Sequence, residues 1–169
     1  FFRRAPKRMY RISYLINSCF NTFYYFGFCW RFFYEIIKPF FDIFPVVAIT
    51  MVVNEAEEVA LLKPKYMSEK YYNFVSGYVQ PGEQAEVCAL REVQGQIGIG
   101  AKDVRFVCSQ WENEQQMLLV GFVARAHKGD FALSEEINAA CWAPVAEALA
   151  LVYPEGNITH RLLEKYLQR

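Results

Sequence analysis

The stretch from Gly77 to Ile99, GYVQPGEQAEVCALREVQGQIGI, gathers the residues whose types and spacing suit chemistry. Glu92, Gly95 and Gln96 stand at i, i+3 and i+4, so in a helix they share one side. Glu92 offers a carboxylate, Gln96 a neutral amide oxygen, and Gly95 no side chain at all. Oxygen donors on one helix face suit a hard divalent cation such as Mg²⁺. Gly95 also costs the helix about 1 kcal/mol relative to Ala.

The elements that must position this face can be read from the same stretch. Gly77 and the Pro81-Gly82 pair punctuate a loop. Glu83 opens the helix, where a carboxylate suits the positive end of the dipole. Ala85, Cys88, Ala89 and Val93 recur at three- and four-residue spacing and face a core. Gly98 ends the helix.

From Pro45 onward the remaining pattern is orderly. Val46 to Val53 is a nearly continuous apolar run and reads as a buried strand. Asn54 to Glu57 is a turn, and Glu58 to Leu62 returns as a hairpin strand. Lys63 to Lys70 reads as a polar rim loop, and Tyr71 to Val75 as a short strand into the glycine loop. Val104 to Ser109, Met117 to Ala126, and a segment through Trp142 after Glu135-Glu136-Ile137 read as further strands. Helices are expected over Pro144 to Leu151, with Pro at its opening turn, and over Ile158 to Gln168, with Leu162, Leu163 and Tyr166 on one face.

The stretch at Gly77 resembles the Nudix box, G-x5-E-x7-R-E-U-x-E-E-x-G-U, where U is a bulky aliphatic residue. Gly77, Glu83, Arg91, Glu92, Val93, Gly98 and Ile99 fall on the pattern without a gap. The two departures are chemical, since Gly95-Gln96 stand where the pattern has Glu-Glu. The resemblance spans roughly Pro45 to Gln168 and implies an α/β fold, the Nudix α/β/α sandwich around a mixed β-sheet. It is closest to the NADH pyrophosphatase group. Phe74-Val75-Ser76-Gly77-Tyr78, Ser109-Gln110 followed by Gly121-Phe122, and the tail PEGNITHRLLEKYL all resemble that group. The proline-aromatic signature of the group is replaced here by WENEQQMLLV.

That resemblance implies metal-dependent hydrolysis of a nucleoside diphosphate-linked compound such as NADH or ADP-ribose. Mg²⁺ or Mn²⁺ would neutralise the phosphoryl charge and align a water. It also implies roles for particular residues. Glu92, Gln96 and Glu136 are the expected metal ligands. Glu83 and Arg91 brace the loop against the helix, and with Glu92 and Gln96 they form the catalytic set. Gly77, Tyr78, Gln110 and Trp111 are expected to line the nucleotide. Glu136 is favoured over Glu135 as the outside acid, with Glu112 and Glu114 as other candidates. Tyr71 and Tyr72 are able to stack a ring but serve equally well as core or rim. His127 and His160 have no defensible Ser or Cys partner, and His160 reads as a surface or packing residue. Where the family's helix presents three carboxylates on one face, this helix keeps only Glu92, so the expected activity is weak. The alternative is a non-catalytic Nudix module that binds a nucleotide or a protein partner.

The totals leave room for one Nudix domain at residues 45–169, preceded by a basic, aromatic-rich extension at residues 1–44. The chain has 169 residues and no net charge, so nothing global argues for nucleic acid. Arg3, Arg4, Lys7, Arg8, Arg11 and Arg31 all precede the first acid, Glu35. The uncharged run between Arg11 and Arg31 is about one bilayer long. Asn17, Ser18, Asn21 and Thr22 interrupt it, so a membrane span is disfavoured. Residues 10–44 are instead expected to pack on the domain or to serve a homodimer or a protein partner. Phe26-Gly27-Phe28-Cys29 resembles a remnant of the group's zinc ribbon. Only Cys19 stands nearby, and a structural zinc needs four ligands, so no zinc is expected. The five cysteines are odd in number and include no CxxC, which fits reduced thiols in the cytoplasm.

Overall fold

The computed structural model describes residues 44–66, 70–154 and 156–168. Apart from Phe44, these belong to one compact unit, Pro45–Arg169. The expectations for the aromatic extension, including its zinc-ribbon-like segment and its partner surface, lie outside the described residues, save for Phe44. Among the described residues no helix is long and apolar enough to cross a membrane.

The apolar run after Pro45 forms β1 (Val46–Val53), buried at every position but Val46. Asn54 then turns the chain. Its Oδ1 accepts from the backbone N–H groups of Ala56 and Glu58 at 2.9 and 3.0 Å, and its Nδ2 donates to Glu58 Oε2 at 2.7 Å. This is the local bonding that favours Asn in turns. β2 (Glu58–Pro64) returns antiparallel, and β3 (Val75–Tyr78) pairs antiparallel with the first half of β1, Val47 opposite Tyr78 and Thr50 opposite Val75. α1 (Ala85–Ile97) follows, then β4 (Ala101–Glu112) and β5 (Met117–Ala126). β5 runs parallel to β1 over the whole length of β1. β6 (Ile137–Pro144) pairs antiparallel with β2. The strand order is β4-β5-β1-β2-β6, with β3 beside β1.

Alternation along β1 sorts its side chains onto two faces. Val47, Ile49, Met51 and Val53 share a core with Leu61, Phe74, Leu162 and Leu163. That face is covered by α2 (Val145–Ala148) and α3 (Ile158–Leu167). Val52, Ala60, Leu62 and Val75 pack against Val93 and Ile97 of α1. Ala48 and Phe122 pack against Cys88 and Ala89, nearer the start of the same helix. The result is the expected α/β/α sandwich around a mixed sheet. At the end of the sheet away from β3, Glu57 accepts from Arg125 and from the Tyr166 hydroxyl, both at 2.6 Å, tying the β1–β2 turn to β5 and α3.

Several boundaries differ from the sequence reading. The strand expected over Tyr71–Val75 begins only at Val75, and the residues before it make isolated bridges, Leu62 to Asn73 and Tyr72 to Val152. Asn73 is the reason. Its side-chain oxygen takes the N–H of Phe74 at 2.9 Å and the Thr159 hydroxyl at 2.7 Å, which diverts the backbone from a ladder. Gly77 lies in β3, opposite Ala48 of β1, and not in a loop. The helix expected from Pro144 to Leu151 is one turn, because the chain peels away at Leu151 to accept from Tyr72 N at 2.9 Å. β2 reaches Pro64, beyond the expected start of the rim loop, and β4 is longer than expected at both ends, with register shifts along it.

Candidate functional site

α1 is set by its two ends and its buried stripe. Cys88, Ala89, Val93, Gln96 and Ile97 are buried, so the helix can sit in one rotation only. Gly98 ends it in the left-handed region at φ 69°, its N–H donating to Gln94 O at 3.1 Å. Glu83 lies just before the helix, whose N-cap is Gln84. Its carboxylate accepts from Gln80 N at 2.9 Å and so holds the glycine loop closed.

β3 passes close to the helix. A Cβ on Gly77 would run into the side chain of Glu92. Only glycine permits this approach, and Glu92 is thereby pressed against the strand. Around it lies one web of polar bonds. Arg91 holds Glu83 with two, Nε to Oε1 at 2.7 Å and Nη2 to Oε2 at 2.9 Å, the paired geometry that suits guanidinium and carboxylate. Arg91 Nη2 also donates to Tyr78 O at 3.1 Å. Arg91 Nη1 donates to Glu92 Oε1. The other oxygen of Glu92 accepts from Gln96 Nε2 at 3.0 Å, and the same nitrogen donates to Ser76 O at 2.6 Å.

Electrostatics follow from these bonds. Hydrogen bonding from Arg91 holds the Glu83 carboxyl below its ordinary value. Glu83 in turn pushes the guanidinium up, so it stays charged. Burial pushes the Cys88 thiol up to about 11. It is therefore a protonated donor at neutral pH, directed at Tyr78 O at 3.4 Å and Gly77 O at 3.7 Å, and not a nucleophile.

The structure thus joins Gly77, Tyr78, Glu83, Arg91, Glu92 and Gln96. Gln110 and Trp111 stand on β4, separated from β3 by β5 and β1. Gln110 is committed to Gly156 O at 2.7 Å, linking β4 to the approach of α3. Glu136 sits in the turn before β6, and its carbonyl accepts from Lys65 N at 2.9 Å. Tyr78 and Trp111 are exposed. Cys88, Ser76 O and Gln80 N are members of the web that the sequence reading did not place there. Cys88 stands three residues before Arg91, a spacing that shares a helix face, and that was the available signal.

The donor set does not fit the divalent ion that the Nudix resemblance implies. Among the described residues no three His, Cys, Asp or Glu side chains gather where they could hold a metal. Glu92 is the one carboxylate on the site face of α1, and both its oxygens are engaged by Arg91 and Gln96. Gln96 approaches with its nitrogen, which repels a cation. Gly95 leaves open space, with no atom beyond its chain neighbours and the backbone of its own helix within 4 Å of a Cβ at that position. The missing side chain is therefore not demanded by packing.

The sequence matches the NUDIX domain family over residues 43–165. It is 30% identical over 120 residues to the NAD-capped RNA hydrolase NudC of Photobacterium profundum, covering 70% of this chain and 45% of that protein. It is 28% identical over 142 residues to NudC of Chromobacterium violaceum, covering 83% of this chain and 50% of that one. The chain spans about half the length of the curated relatives it matches. Among solved structures, the NUDIX domain of Shewanella oneidensis NrtR, complexed with ADP ribose, superposes with a TM-score of 0.64 at 13% identity, covering 78% of this chain and 91% of that one. MutT from Aliivibrio salmonicida and Vibrio cholerae gives 0.58 at 18% identity, covering 74% and 98%. At these identities the structural likeness shows the fold.

Proposed function

The chain belongs to the NUDIX family, and from that premise we propose that it recognises a nucleoside diphosphate-linked compound and hydrolyses the diphosphate weakly. NADH, ADP-ribose and related NAD-like ends are the candidate substrates. The relatives named NAD-capped RNA hydrolases support an NAD-like end. The observation that carries the reading is the state of Glu92, the one carboxylate left on the site face of the box helix, with one oxygen on Arg91 and the other on Gln96. In this arrangement Arg91 and Glu83 keep the loop against the helix, and Tyr78 offers an exposed ring for stacking beside it. The chain's own residues provide recognition and orientation. Strong activation of a water by a helix-borne metal cage is what they lack.

The same observation favours a second reading, a Nudix module that binds a nucleotide or a protein partner without turnover. The two readings separate in one assay. Mg²⁺- or Mn²⁺-dependent release of mononucleotide from NADH, ADP-ribose or dinucleoside polyphosphates marks the weak enzyme. Stabilisation against unfolding by the same compounds, with no release, marks the binding module. Neither release nor stabilisation would overturn both.

A further inference from the structure

Gln96 Nε2 lies between two oxygens from different elements. It donates to the Ser76 carbonyl of β3 at 2.6 Å and to Glu92 Oε2 of α1 at 3.0 Å. The residue is 9% exposed, so water has little access to either bond. An amide nitrogen carries two hydrogens, and both are used here. The opposite orientation of the amide is excluded by sign, since its oxygen would then face two acceptors. A carboxylate at position 96 would meet the same two oxygens with no hydrogen to offer. Above the pH at which the two carboxyl groups could share a proton, three such oxygens stay together only around a cation.

We propose that Gln96 is a positioning residue that does the bridging a bound cation would otherwise do. Its amide closes β3 onto Glu92 without metal, and the substitution Gln96→Glu makes that closure depend on a divalent cation. The space beside it is consistent with a site that no longer gathers acids, because Gly95 is open and exposed. This inference concerns what holds strand to helix, and it is independent of whether a nucleotide binds or is cut.

Thermal unfolding of the full chain in EDTA, Mg²⁺ and Mn²⁺ tests it, with no nucleotide present. The unsubstituted chain should melt at one temperature in all three. Gln96→Ala should melt lower by roughly 3–8 °C, equally in all three, from the loss of two bonds of which one is to a carboxylate. Gln96→Glu should melt lowest in EDTA and recover several degrees with Mn²⁺ or Mg²⁺. Adding Glu92→Gln should abolish the recovery. A Gln96→Glu chain that folds only when cation is added supports the proposal as well. The proposal is overturned if the unsubstituted chain is stabilised by cation through Glu92, if Gln96→Ala melts like the unsubstituted chain, or if Gln96→Glu is indifferent to cation, including failure to fold in every buffer.

Discussion

Removing Arg91 is the most informative perturbation of the web. Its guanidinium makes two bonds to Glu83 and further ones to Tyr78 O and Glu92. The two ends of the pair differ in exposure, 37% for the Arg91 side chain and 11% for that of Glu83. Arg91→Ala therefore strands a mostly buried carboxylate left with Gln80 N and the Cys88 thiol as partners. A fully buried ion left unpaired costs about 3–5 kcal/mol, and an exposed pair contributes at most about 1 kcal/mol. The half-exposed guanidinium places this case between them, at about 2–3 kcal/mol. Glu83→Ala should cost somewhat less, about 1–2 kcal/mol, because Arg91 keeps its other acceptors and reaches water. The double substitution should cost little more than Arg91→Ala alone, giving a coupling energy of about 1–2 kcal/mol. Urea unfolding of the four chains measures all three values. Additive single effects, or an Arg91→Ala cost below about 1 kcal/mol, would refute the bracing role.

Two further outcomes follow from the same geometry. Gly77→Ala should destabilise by about 1–3 kcal/mol, because the new Cβ drives Glu92 from its place and so from Arg91 and Gln96; urea midpoints check this, and an unchanged midpoint would contradict it. The Glu83 carboxyl is held below its ordinary 4.5, so its contribution should be complete above that value and lost as pH falls below it through the depressed folded value. Unfolding free energies across this acid range should show a slope that Glu83→Gln reduces, and an equal slope in both chains would contradict it.

The sequence was most legible where one physical cause acts alone. β1 and β5 were read at their observed bounds because a strand largely buried on both faces reads as a nearly continuous apolar run. Glu83 and Arg91 could be paired only through the motif, since they stand eight positions apart across the loop and helix and spacing alone does not predict their meeting. Boundaries were lost where a side chain competes with the backbone. Asn73 captures the N–H of Phe74 and the Thr159 hydroxyl, 86 residues away, and no local pattern announces that. The purpose of Gly77 was misjudged for a similar reason, because the demand for a missing Cβ comes from Glu92 across space. Gln96 was read as an oxygen donor, and the structure uses its nitrogen. An amide presents either end, and only its neighbours, here a carbonyl and a carboxylate, decide which.

The most direct test of the account is hydrolysis of NADH, ADP-ribose and dinucleoside polyphosphates with Mg²⁺ or Mn²⁺, comparing the chain as it stands with a Gly95→Glu/Gln96→Glu version. The account predicts slow or undetectable turnover by the former and metal-dependent turnover by the latter, since the open space at Gly95 accepts the added acid. Equal, metal-dependent turnover by both chains would contradict it, because Glu92 with its present partners would then suffice.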